Sequence, residues 1–178
     1  MPAGSPPPRR RPKNLAGYLE ALSRPVFQAG ISWRVVDGKW DGIRAAFKEF
    51  EPDKVARFGP KQIDALLANE AMIRSRPKIE AVIDNAHTLL ELDKEHGGFR
   101  KYLKAQGDTP VLATDLQRQF RFIGPSGAYT FLWMVGEPVP SHDEWPTARA
   151  RGRSRTANAG RRAAGERPVP GAGDNGPR

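Results

Sequence analysis

Apolar residues fall into short runs with helical spacing, separated by polar, glycine-rich and proline-rich breaks. The most regular run covers residues 77–94, where Ile79, Val82, Ile83, Ala86, Leu89 and Leu90 recur at steps of three and four. That spacing gathers them on one face of a helix, which the rest of the domain must cover. Shorter stretches of the same kind occupy residues 15–22, 40–50, 62–68, 99–104, 114–120 and 128–135. The last is apolar on nearly every side and is expected at the centre of a helical bundle. Pro60, Pro77 and Pro125 stand just inside apparent helix starts, where the N–H that proline lacks has no partner in any case. A two-residue alternation fits only residues 32–36, the one place where a short strand is conceivable. The expected fold class is all-α.

Both ends lack this patterning. Residues 1–13 are mostly Pro and Arg, and from residue 147 onward the chain is rich in Arg, Ala, Gly and Pro. Neither segment has enough apolar surface to offset the entropy of ordering it. They are expected to be disordered basic tails around one helical domain at residues 14–146.

Charge sharpens that division. The sequence carries a formal net charge of +9, of which Arg9, Arg10, Arg11 and Lys13 supply +4 in the first tail. Eight arginines against Glu166 and Asp174 supply +6 in the second, which leaves the domain at −1. Attraction to phosphate is thus expected of the tails, and it should fall steeply with salt. The chain has no cysteine, which excludes disulfides, thiolate chemistry and cysteine-ligated zinc. The three histidines, His87, His96 and His142, have no metal-site spacing, so no metal or cofactor is implied. No apolar run approaches the roughly 20 residues needed to cross a bilayer, so a membrane partner is not expected and a cytoplasmic or nucleoid-associated location is. No heptad seam is visible, and a monomer is expected.

The stretch richest in candidate chemistry is Val26-Phe27-Gln28-Ala29-Gly30-Ile31-Ser32-Trp33, followed by Phe47-Lys48-Glu49-Phe50-Glu51-Pro52-Asp53-Lys54-Val55-Ala56. Here the chain resembles the DNA-3-methyladenine glycosylase I family, with its Q-A-G-L-S-W and F-x-x-F-D-P-x-x-V-A. Ile73-Arg74-Ser75-Arg76-Pro77-Lys78-Ile79 continues in register with the family's I-I-R-H-R-x-K-I, and Phe120-Arg121-Phe122-Ile123-Gly124 with its F-x-F-V-G. The resemblance spans roughly residues 15–142. It implies a helical glycosylase of the helix-hairpin-helix superfamily that flips an alkylated purine, such as 3-methyladenine, out of double-stranded DNA and hydrolyses its N-glycosidic bond.

Carried over residue by residue, the resemblance makes Gln28, Gly30 and Ile31 the wedge that fills the vacated stack and Trp33 the wall of the base pocket. Arg74, Arg76 and Lys78 stand at the hairpin junction, where cations at a helix start can hold DNA phosphates. Read without the resemblance, Gly30-Ile31-Ser32-Trp33 is equally a helix end with a capping glycine and two buried side chains. The basic cluster is equally a solvated face.

Three departures bear on activity. The family holds its base with a glutamate three residues before Q-A-G, and that position is Pro25 here. The family's N-terminal Y-H-D-x-E-W-G segment has no counterpart, and its zinc ligands are missing. Glu20 and Asp37 are the acids close enough in sequence to substitute as the catalytic carboxylate. His142, with Asp143 and Glu144, reads as a polar chain end. Two other functions stay open: a non-catalytic binder of damaged or distorted DNA with the same fold, and a helical interaction protein whose arginine-rich tails bind RNA or acidic partners.

Overall fold

The computed structural model describes residues 7–145, and the expected C-terminal tail from residue 147 lies outside them. Helix α1 (Leu15–Gln28) starts where Asn14 Oδ1 accepts the N–H of Gly17 at 3.0 Å. This cap satisfies one of the donors that a helix start leaves open. Helix α6 (Arg76–His96) has Pro77 in its first turn and stops at Gly97, whose φ of +65° is readily adopted only without a side chain. Helix α9 (Pro125–Met134) buries Ala128, Phe131 and Leu132. α1 packs against both α6 and α9 and buries Leu19, Leu22, Val26 and Phe27 between them. Each such side chain removed from water contributes about 1.5–3 kcal/mol.

The remaining helices surround this centre. Between α1 and α6 run α2 (Trp33–Gly38), α3 (Trp40–Ala46), α4 (Pro52–Val55) and α5 (Pro60–Ala68). After α6 come α7 (Phe99–Ala105), packed on α6, and α8 (Thr109–Gln119), packed on α9. No strand occurs among the described residues, in keeping with the all-α expectation. Tyr102 of α7 donates its hydroxyl hydrogen to Asp115 of α8 at 2.5 Å. Burial first, and then this hydrogen bond, push the Tyr102 hydroxyl's pKa above its ordinary value. A phenol raised in the folded state gives support that is complete below about pH 10 and is lost as pH climbs further. Tyr102→Phe is expected to cost about 1–2 kcal/mol near neutral pH. It should also flatten the alkaline loss, as urea melts at neutral and strongly alkaline pH would show.

Three expectations need correction. Residues 40–50 are not one helix, because α3 stops at Ala46 and Lys48, Glu49 and Phe50 take φ values of 54°, 57° and 57°. That left-handed turn costs roughly 1–2 kcal/mol per residue. It drives Phe50 into the core, where its ring stacks on those of Phe47 and Trp40, each at 5.5 Å between centroids. Residues 32–36 are not a strand. Ser32 Oγ accepts the N–H of Val35 and starts α2, and the apparent alternation is no buried face, since Val35 is exposed.

The third correction concerns residues 7–13, expected to be disordered by composition but ordered along the end of α9. The Trp133 indole donates to Pro7 O at 2.7 Å, and the Arg10 N–H donates to Met134 O at 2.7 Å. Arg9 donates to Glu137 O at 3.0 Å while its guanidinium lies over the Trp133 ring. Pro12 rests on Gly17, where a Cβ would come within 2.8 Å of the Pro12 Cβ. Hydrogen bonds to a helix end, which composition does not register, order this strap. Gly17→Ala should lift it, speeding trypsin cleavage at Arg9 to Lys13 roughly fivefold while leaving global melting nearly unchanged.

Candidate active site

The strap, one face of α1 and the start of α2 enclose a cleft of about 440 Å³. Gly17, Glu20, Ala21 and Arg24 line it from α1, since steps of three and four bring them to one side of the helix. Arg10, Arg11 and Lys13 line it from the strap, and Trp33, Arg44 and Glu49 from α2, α3 and the left-handed turn.

Trp33 is half-buried in this wall, and its nearest charged neighbour is Arg24. The Arg24 guanidinium carbon lies 5.2 Å from the Trp33 ring centroid and 4.2 Å from that of Trp40, within cation–π reach of both. Arg24 Nη1 also donates to Asp37 Oδ1 at 2.9 Å, and the arginine side chain is only 17% exposed. The two candidate acids therefore part company. Glu20 faces the cleft, its Oε1 accepting the Trp40 indole N–H at 2.8 Å and its Oε2 standing 3.9 Å from Arg44 Nε. Asp37 is 59% exposed, does not line the cleft and is committed to Arg24.

Pro25, at the position of the family's glutamate, is buried inside α1. It offers no acceptor, and its Cβ faces α9, where a Cβ on Gly127 would come within 3.3 Å. Past it, α1 ends at Gln28, and Gly30 takes a φ of +78° as the Ile31 N–H donates back to Gln28 O at 2.9 Å. Nothing lies within 4 Å of a Cβ placed on Gly30, so backbone conformation rather than space calls for glycine. Gln28 and Ile31 are half-buried and Gly30 is exposed, so this turn is both a helix end and a surface projection.

The three cations near the hairpin at residues 69–75 do not act together. Arg74 is exposed. Arg76 pairs with Asp64 at 3.0 Å and Glu80 at 3.7 Å. Lys78 is 8% exposed and donates to Phe27 O at 3.0 Å and Ala29 O at 2.5 Å. It is no phosphate contact: its ammonium caps the carbonyls at the end of α1 and so fixes the Gln28 to Ile31 turn from beneath. Burial lowers its pKa from the ordinary lysine value. Lys39 acts likewise on the hairpin, donating to Glu70 O at 3.0 Å. His142 packs edge-on against Trp145 at 4.6 Å, well away from the cleft-lining residues.

A family model described as methyladenine glycosylase matches residues 12–117, more than half of the chain. The chain belongs to the methyladenine glycosylase family. Its similarity to the DNA-3-methyladenine glycosylase of Haemophilus influenzae is 29% identity, over 61% of this chain and 70% of that protein. DNA-3-methyladenine glycosylase 1 of Escherichia coli K12 is 28% identical over the same shares. A 3-methyladenine DNA glycosylase I solved in complex with 3-methyladenine superposes with a TM-score of 0.64 at 26% identity, covering 71% of this chain and 80% of that one. The Staphylococcus aureus 3-methyladenine DNA glycosylase I gives the same TM-score and identity.

Within this methyladenine glycosylase chain, Arg24, Lys39 and the strap cations are site features that sequence reading missed. Arg24 was visible in principle, four residues after Glu20 on the same helical face. Lys78 was visible too, since it lies four residues before Val82 in the buried stripe of α6. Nothing in the composition of residues 7–13 signals that they build a cleft wall.

Proposed function

We propose that this protein is a base-excision enzyme that hydrolyses the N-glycosidic bond of an alkylated purine, the class that includes 3-methyladenine, in double-stranded DNA. The observation that carries this reading is the pairing of a half-buried Trp33 with Glu20 in one cleft, beside the Lys78-braced turn of Gln28, Gly30 and Ile31. The flipped purine packs against Trp33, and Ile31 fills the space it leaves in the duplex. A water oxygen bonds to C1′ as the C1′–N bond breaks, the bonding pair goes to the purine, and Glu20 takes the water's proton. The product is an abasic site. The exposed Arg74 contacts the DNA backbone, and the protein acts as a monomer in the cytoplasm or on the nucleoid.

A second reading, a binder of damaged DNA without turnover, is favoured by Pro25, which leaves α1 without a carboxylate at that position. Duplexes that each carry one defined alkylated purine separate the two, with alkali-induced strand breaks reporting base loss. Release that falls about tenfold to a hundredfold in Trp33→Ala, the usual value of base–aromatic stacking, supports the enzyme. Retained affinity for an abasic duplex with no release from any substrate supports the binder.

A further inference from the structure

The geometry points to Arg24 as the specificity determinant of the cleft, setting it for a neutral alkylated purine with hydrogen-bond acceptors on its edge and against a cationic one. This rests on the glycosylase reading and narrows its substrate class. A purine lying against Trp33 meets the Arg24 guanidinium, which sits 5.2 Å from that ring and is held in place by Asp37 and by Trp40 beneath it. The cleft's other cations, Arg10, Arg11, Lys13 and Arg44, add the same sign, and of these Arg44 is engaged by Glu49 at 2.7 Å. A base bearing a positive charge would enter against like charge on a wall already occupied as a cation–π acceptor. A neutral guanine-type base instead offers N7 and O6, the acceptor pair that a planar guanidinium matches.

Leaving-group chemistry agrees. A cationic N-alkylated purine departs as a neutral molecule and gains nothing from a guanidinium. A neutral purine takes the bonding electron pair from C1′ and develops negative charge as the bond breaks. Arg24, donating to N7, stabilises that charge where it forms. The water oxygen completes the new bond at C1′, and the proton held by Glu20 passes to the departing purine, so a neutral base and an abasic sugar result. Arg24 thereby does for a neutral leaving group what the intrinsic charge does for a cationic one.

The test uses the full chain and duplexes carrying either O6-methylguanine, neutral with N7 free, or 7-methylguanine, its cationic isomer with N7 blocked. Release is measured relative to the uncatalysed rate for each. The wild type should favour O6-methylguanine by about tenfold or more, the usual discrimination of a paired base contact. Arg24→Leu should reverse the order, and Arg24→Lys, which keeps charge but loses the planar fork, should fall between them. A wild-type preference for 7-methylguanine, or a ratio unchanged in Arg24→Leu with folding intact by thermal melting, overturns the inference. Should neither base be released, the glycosylase reading fails and affinity for the same duplexes is the readout. An O6-methylguanine preference that Arg24→Leu reverses then supports Arg24 selectivity, and equal affinities overturn it.

Discussion

Lys78→Met is expected to lower the unfolding free energy by about 3 kcal/mol and to weaken binding to abasic duplex at least roughly tenfold. The substitution keeps the apolar stem and removes the ammonium that Phe27 O and Ala29 O share. Two carbonyls at a buried helix end then lose a charged donor, each at a cost of about 1–3 kcal/mol. Relief of the burial penalty that lowers the Lys78 pKa offsets part of this. Between the lowered folded pKa and the unfolded value of about 10.4, the unfolded chain binds more protons, so this group makes stability rise with pH. The methionine variant should lack that alkaline rise. Urea titrations at several pH values measure the first effect, and fluorescence anisotropy with labelled abasic duplex the second. A folded variant that binds DNA with unchanged affinity would show that the turn does not depend on Lys78.

Asn85→Ala should be comparably damaging, at about 3 kcal/mol, with a melting temperature roughly 10 °C lower. Asn85 is 1% exposed and grips the backbone of Arg121 from both sides, accepting from its N–H at 2.7 Å and donating to its carbonyl at 3.1 Å. The residue after that grip, Phe122, takes a φ of +59° and is 44% exposed, a conformation and an exposure that favour a different backbone path once the clamp is gone. Asn85→Asp keeps the acceptor for the Arg121 N–H but loses the donor, and should recover about half of the lost stability by thermal melting. Full recovery would show that the carbonyl bond contributes nothing.

Most of the helical architecture was legible because it rests on local signals. The stripe of α6, the prolines at Pro60, Pro77 and Pro125, and the apolar run that became α9 were all readable from spacing. What escaped was decided between elements. The stop of α3 at Ala46 depends on Phe50 finding the rings of Phe47 and Trp40, and residues 40–50 contain no local break that announces it. Lys78 looked like a surface cation because its partners, the carbonyls of Phe27 and Ala29, are some fifty positions earlier in the chain. Of the candidate acids, only packing could place Glu20 in the cleft and tie Asp37 to Arg24. The family motif located the site, and the side chains around it had to be seen in place.

The strap at residues 7–13 also bears on how such a site can change over generations. Two of its anchors, Pro7 O to the Trp133 indole and the Arg10 N–H to Met134 O, run through main-chain atoms that other residue types also possess. The side chains at positions 8, 10, 11 and 13 are exposed. Substitutions there can rewrite the charge of the cleft wall with little penalty to the domain. A lineage can thus drift from one class of damaged base to another through its least constrained segment, while α1, α6 and α9 keep the packing that holds the cleft open.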